Sequence, residues 1–304
     1  MGLLRIRHET RYRYRSPVAL GEHRLMLRPR ETYDQRLVEY DLDIRPEPAS
    51  VTSAEDASGN LITTIGFSRR TRDLSLVATM TVEHTAFREA ALSIAEHART
   101  CPFSYGAEEM PDLARFIERQ HPDGQHAVDG WARAILAEDP DRATWSFVKR
   151  LNAAIRREFC YLRREEAGIQ APSDTLRLRA GSCRDFAVLL AEGLRTQGIA
   201  ARFVSGYLQV RGGDEVVRQA GGSTHAWIQA YLPGGGWIDL DPTSGEVGNG
   251  ELVRVAVVRD PAQASPVSGS FIGFPSDFID MTVSVSVAGE RPRRAETQRP
   301  AAAA

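Results

Sequence analysis

The sequence predicts an α+β protein: an N-terminal antiparallel β-sandwich, then a domain in which a cysteine-bearing helix packs on an antiparallel sheet. Three observations predict this. Apolar and charged residues alternate with period two through much of the first 86 residues. After Pro140 the apolar spacing changes to three and four, and after Gly198 short β-type runs return between glycine-rich turns.

The chain has 304 residues, of which 42% are hydrophobic, enough for two packed domains. Its formal net charge of -2 gives no basis for nucleic-acid binding or attraction to a membrane surface. Basic residues are nearly all arginine, with Lys149 the only lysine. Cys101, Cys160 and Cys183 cannot all pair and lack metal-type spacing, so a reducing compartment is expected. The start, Met1-Gly2-Leu3-Leu4-Arg5-Ile6-Arg7, carries no apolar signal region, and no run is long enough to span a bilayer. The expected location is the cytoplasm.

Strand alternation begins with Leu4, Ile6, His8, Tyr12 and Tyr14 set against Arg5, Arg7, Glu9, Arg11 and Arg13. It returns at Val38–Ile44, Leu61–Phe67 and Leu76–Val82, with a turn at Asp56-Ala57-Ser58-Gly59-Asn60. These runs assign residues 1–86 to the β-sandwich, with His8, His23 and His84 as packed or surface strand residues. Residues 87–140 form a helical connector, with helix-like runs at Glu89–Arg99 and Asp112–Arg119 broken by prolines. Its histidines His97, His121 and His126 have no partner of a useful kind nearby.

The second domain covers residues 141–288. Trp145, Val148, Leu151, Ile155 and Phe159 trace one helical stripe, after which Cys160 is expected in the core. Ser173–Leu176 reads as a short helical turn. A strand follows at Ala201–Val210, then a glycine-rich loop from Arg211 to Ser223 that is expected to move and to help select substrate. Thr224–Leu232 and Trp237–Thr243 form a hairpin around Pro233-Gly234-Gly235-Gly236, and runs at Leu252–Val258 and Met281–Val287 close the domain. The tail at 289–304, rich in Arg, Pro and Ala, is expected to be disordered.

Chemistry concentrates at residues 180–200. Phe186, Ala187, Leu190, Ala191 and Leu194 recur at helical spacing, Ser182 and Asp185 fit a capping box, and Gly198 stops the helix. Cys183 therefore opens a helix, where the positive end of the dipole favours a thiolate. A free thiol titrates near about 8.5, and such placements bring it to roughly 3.5 to 7.5 when a basic neighbour helps. Alone, the stretch leaves open that Cys183 is a small buried hydrophobe.

A base and an orienter for that base complete the case. His225 shares a strand face with Trp227, Gln229 and Tyr231, and the partner strand carries Asp239 and Asp241. With the turn centred near Gly234, Asp239 faces Gln229 and Asp241 faces Trp227, one diagonal step of roughly 7 to 8 Å from His225. Asp241 is therefore favoured over Asp239, although a one-residue slip would turn both to the wrong face.

Gly181-x-Cys183-x-Asp185-Phe186-Ala187, His225-Ala226-Trp227 and Gly236-Trp237-x-x-x-Asp241-Pro242-Thr243 together resemble the bacterial branch of the transglutaminase-like superfamily. Gly206-Tyr207 and the β-rich N-terminus fit as well, so the resemblance covers nearly the whole chain short of the tail. It implies a papain-like core with a thiolate at Cys183, an acid-base histidine at His225 and a histidine-orienting carboxylate at Asp241. Asp185 matches a family position and reads as support for the helix start. An oxyanion hole would use the Cys183 N–H and a second donor in the region of Trp145 or Tyr161.

Animal relatives are calcium-activated, but no Asp-rich calcium loop is present here, and neither metal nor cofactor is expected. The implied activity is attack on an amide carbonyl of a peptide or protein through a thioester. A cysteine peptidase or amidase is favoured over a true protein-glutamine transglutaminase, with a non-catalytic binding module on the same fold as the alternative. A zinc site built from Cys183, His225 and Asp241 would lack the usual short two-ligand motif. Arylamine acetyl transfer uses a similar triad, but its surrounding sequence is missing. The oligomeric state is left open by the sequence.

Overall fold

The structure is a computed structural model that describes residues 2–164, 168–210 and 224–290. Its N-terminal part contains β1 (Gly2–Leu25), β2 (Gln35–Arg45), β3 (Ser50–Glu55), β4 (Leu61–Gly66) and β5 (Arg70–His84). The alternation of β1 sorts its side chains as expected: Leu4, Ile6, His8 and Thr10 are buried, while Arg5, Arg7 and Arg11 point to solvent. The Asp56–Asn60 turn joins β3 to β4, with the Asp56 carboxylate accepting from the N–H groups of Ser58 and Asn60.

The connector is less helical than its composition suggests. Glu89–Ala91 and Glu96–Ala98 form only single tight turns, followed by α1 (Met110–Ile117) and α2 (Ala127–Ala137). Then come α3 (Thr144–Glu158), β6 (Cys160–Tyr161), α4 (Pro172–Leu178), β7 (Ala180–Gly181) and α5 (Cys183–Arg195). The remaining strands are β8 (Ala201–Leu208), β9 (His225–Leu232), β10 (Gly236–Leu240), β11 (Leu252–Val258), β12 (Val267–Ile272) and β13 (Phe278–Glu290).

Among the described residues two large sheets, a small two-stranded sheet of β6 and β7, and a helical layer make up the fold. The second sheet has the order β10-β9-β8-β11 and covers one side of α5, where Phe186, Leu190 and Leu194 meet Ala226, Ile228 and Ala230. Its other face lies on the N-terminal sheet: Tyr207, Val253 and Val255 share a core with Leu4, Ile6, Leu76 and Met80. The side-chain amides of the N-terminal part bind β11 directly. Asn60 exchanges hydrogen bonds with the backbone of Val257, and Gln35 does so with Arg254.

Two expected domain boundaries are corrected. Residues 267–290, assigned to the second domain through 288 with a disordered tail from 289, instead supply β12 and β13 to the first sheet, where both pair with β1 (Ile6 opposite Val287). All the N-terminal strands belong to this one hydrogen-bonded seven-stranded sheet, in which β2-β5-β1-β4-β3 form the main path. Alternation reveals that a segment is a strand but not which strand it pairs with, and β13 keeps the same period wherever it docks. The connector boundary at 140 also moves, because Val128, Ala132, Ile135 and Leu136 of α2 are part of the α5 core. The remainder of the expected disordered tail, 291–304, and the loop at 211–223 lie outside the described residues.

Candidate active site

Parallel pairing of β6 with β7 sets Tyr161 opposite Gly181, and the N–H of Leu162 donates to the Gly181 carbonyl at 2.8 Å. This fixes Ala180 and Gly181, the strand that leads through Ser182 to Cys183. Asp185 then fastens the helix start, its Oδ2 accepting from the Ser182 N–H and hydroxyl, each at 2.8 Å. Its Oδ1 accepts from Arg164 Nη1 at 2.8 Å and the Gln170 N–H at 2.7 Å. Asp185 is thus a structural clamp, as the capping pattern predicts.

Cys183 is the first residue of α5 and is buried. Its thiol lies against the His225 ring and the backbone N–H of Ala226. Burial alone would push the thiol up; the neighbouring His225 with its charge, together with the Ala226 N–H, outweighs it and holds the thiol below its ordinary value. Cys101 shows burial unopposed by such partners, its thiol being pushed up to about 11.

His225 opens β9, and its Nε2 lies 3.0 Å from Asp241 Oδ2. The other ring nitrogen, Nδ1, is buried with no hydrogen-bond partner and is the one left to face the thiol. Burial would lower the imidazole, but the Asp241 charge and hydrogen bond and the Cys183 contact raise it to about 10. The pair therefore favours thiolate and imidazolium.

The hairpin register explains why Asp241 does this. Asp239 pairs with Gln229 and Leu240 with Ile228, as expected from a turn near Gly234. Asp241 follows, is buried, and accepts from the Thr243 N–H and the Ser244 hydroxyl, both at 2.9 Å. Burial raises this carboxyl, but His225 and those two donors together hold it below the usual carboxylate range. Ser244 was not singled out from sequence; Asp-Pro-Thr-Ser reads as a generic turn, and only the fold turns that hydroxyl onto Asp241.

Of the two candidates for a second oxyanion donor, the structure brings Tyr161 to the thiol. The Tyr161 phenol is raised by burial and by its contact with Cys183. The Trp145 indole N–H is taken by Glu89 Oε1 at 2.7 Å. Cys160, expected in the core, is exposed: neighbours in a strand face opposite ways, and Tyr161 takes the inward position.

A second polar cluster adjoins the site. Asp239 accepts the Trp227 indole N–H at 2.7 Å and pairs with Arg254 at 3.2 Å, and Arg254 also pairs with Asp34 from the N-terminal part. Burial raises the Asp34 carboxyl, yet its hydrogen bond and ion pair with Arg254 bring it below the usual range. Neither Arg254 nor Asp34 stood out from sequence, since nothing near either residue indicates that they meet. Among the described residues no group of three or more His, Cys, Asp or Glu side chains is arranged to hold a metal ion.

The Bacterial transglutaminase-like N-terminal region matches residues 4–83, and the Transglutaminase-like superfamily core matches residues 129–242. An uncharacterized protein of Mycobacterium tuberculosis is 29% identical over 295 residues, covering 92% of this chain and 91% of its own. A crystal structure from Cytophaga hutchinsonii, of a protein provisionally assigned as a cysteine protease, superposes with a TM-score of 0.72 at 21% identity, covering 97% of this chain and 92% of that one. A protein-glutamine gamma-glutamyltransferase of Pseudomonas aeruginosa is 39% identical over 69 residues, which are 21% of this chain and 10% of that protein. The two profile matches account for the N-terminal strands and for the core that holds the thiol, imidazole and carboxylate. The chain belongs to the transglutaminase-like superfamily, as a member that carries the bacterial N-terminal region ahead of a papain-like core.

Proposed function

We propose that the protein is a cofactor-free cysteine enzyme that attacks peptide or protein amides, with Cys183 as nucleophile, His225 as acid-base and Asp241 as orienter. The observation that carries this reading is the buried Cys183–His225–Asp241 series, in which thiol and imidazole are pushed toward the charged pair. The thiolate adds to the carbonyl carbon, and the oxyanion is received by the Cys183 N–H and the Tyr161 hydroxyl. Collapse expels the amine, which takes its proton from the His225 imidazolium and leaves a thioester on Cys183. Neutral His225 then removes a proton from water, the resulting hydroxide attacks the thioester, and the acid and the resting thiolate–imidazolium pair are released.

Hydrolysis is the favoured outcome, supported by the provisional protease assignment of the Cytophaga structure. Transfer to an amine is the second reading, favoured by the similarity of a short stretch to the Pseudomonas glutamyltransferase. The test is ammonia release from a glutamine-containing peptide, with peptide cleavage followed in parallel, with and without a primary amine, comparing the native chain with Cys183→Ala. Ammonia or cleavage without amine incorporation supports the hydrolase, and incorporation supports the transferase. Activity that survives in Cys183→Ala overturns both.

The three unpaired cysteines support a reducing compartment, and the cytoplasm is proposed. Recovery of the native protein outside the cytoplasm on fractionation would overturn that placement. Among the described residues no helix is long and apolar enough to cross a membrane. No nucleic-acid or membrane partner is proposed.

A further inference from the structure

The N-terminal sheet reaches the reacting pair through an unbroken line of buried contacts. His225 and Trp227 stack, with ring centroids 6.0 Å apart and planes 24° apart. The Trp227 indole N–H is donated to Asp239 Oδ1 at 2.7 Å, and the other oxygen of Asp239 takes Arg254 Nη1 at 3.2 Å. Arg254 Nη2 binds Asp34, whose other carboxylate oxygen receives the Asn249 amide. Trp227, Asp239, Arg254 and Asp34 are each at most 7% exposed. Room for the indole is made by Gly206 on β8: a Cβ there would stand 2.7 Å from the Trp227 ring.

We propose that Asp34, Arg254, Asp239 and Trp227 form a positioning relay by which the N-terminal sheet holds an electron-rich indole against His225 and so favours its imidazolium form. The inference rests on the thiolate–imidazolium reading of Cys183 and His225. An indole whose N–H is bound by a carboxylate presents a more negative face, and an adjacent imidazolium is stabilised by it. Arg254 keeps Asp239 ionised and aimed, and Asp34 keeps Arg254 in place. The N-terminal sheet is thereby a working part of the site. Among the described residues the titratable groups acting on His225 are Cys183 from α5 and Asp241 after β10; Tyr161 from β6 contacts Cys183, Ser244 binds Asp241, and β8 contributes the uncharged Gly206.

The charged pair and the neutral thiol–imidazole pair bind the same number of protons, so their ratio does not change across neutral pH and reports how well the site stabilises imidazolium. At pH 10 the thiolate forms with or without that help. The experiment is the rate of iodoacetamide modification of Cys183 at pH 6 relative to pH 10, followed on the Cys183 peptide in the full chain. Trp227→Phe is expected to lower this ratio about tenfold, and Asp34→Asn several-fold in the same direction. Ile65→Val, in the N-terminal core but outside the relay, is the control for lost stability and should leave the ratio unchanged.

An unchanged ratio in folded Trp227→Phe and Asp34→Asn overturns the relay. A drop in Ile65→Val equal to that in Asp34→Asn also overturns it, because loose packing would then be the cause. A native chain that is unreactive at pH 6 overturns the thiolate reading, and the relay falls with it.

Discussion

His225 Nε2 lies 3.0 Å from Asp241 Oδ2, while Asp239, two residues earlier on the same side of the hairpin, receives the indole of Trp227. Two acids on one side of the hairpin thus have separate partners. Asp241→Ala removes the charge and hydrogen bond that do most to raise His225 to about 10 and leaves the Cys183 contact to oppose burial, which acts downward. The imidazole is expected to titrate well below its value in the native chain, read by NMR of the ring in the variant. Amide turnover should fall on the order of 10²–10⁴-fold, the range of a general acid-base contribution.

The Cys183 helix, the His225 strand and the placement of Asp241 beside His225 were legible because each rests on short-range pattern: apolar spacing, a capping pair and a turn of known length. The relay from Asp34 to Trp227 was not. Asp34 and Arg254 are 220 residues apart and meet only because two sheets stack, which no local period encodes. The docking of β13 on β1 was hidden for the same reason. Cys160 was misplaced by a different cause, since a two-residue strand is too short for alternation to choose an inward side.

Thiol reactivity should separate the three cysteines by pH. Cys183 is held low by His225, Cys101 is buried and raised to about 11, and Cys160 is exposed. At pH 6 iodoacetamide should modify Cys183 first, as read by peptide mass spectrometry, and Cys101 should stay unmodified until the fold opens. Preferential labelling of Cys160 at pH 6 would count against an activated Cys183.

Tyr161→Phe keeps the ring that packs edge-on against Phe186 and removes only the hydroxyl beside the thiol. If that hydroxyl receives the oxyanion, kcat should fall about 10²–10³-fold with KM little changed. Labelling of Cys183 at pH 6 should persist, because the Ala226 N–H and His225 still support the thiolate. Loss of labelling together with kcat would assign Tyr161 to the thiolate instead.

Glu192, buried in α5, ties that helix to the connector. Its carboxylate accepts from Arg119 at 2.6 Å, Arg195 at 2.8 Å and the Gln120 N–H at 3.0 Å. Burial raises this carboxyl, but those three partners together bring it below its ordinary 4.5. A carboxyl with a depressed folded pKa contributes stability that is complete above the unfolded value and is lost as pH falls through the folded one. Glu192→Gln leaves Arg119 and Arg195 without their shared charge and should cost about 3 kcal/mol at pH 7, measured by urea unfolding. The same variant should lose less stability than the native chain between pH 5 and pH 3, because the group that takes up the proton is gone. Equal acid sensitivity in the two proteins would mean that other carboxylates, such as Asp34 and Asp241, dominate the acid limb.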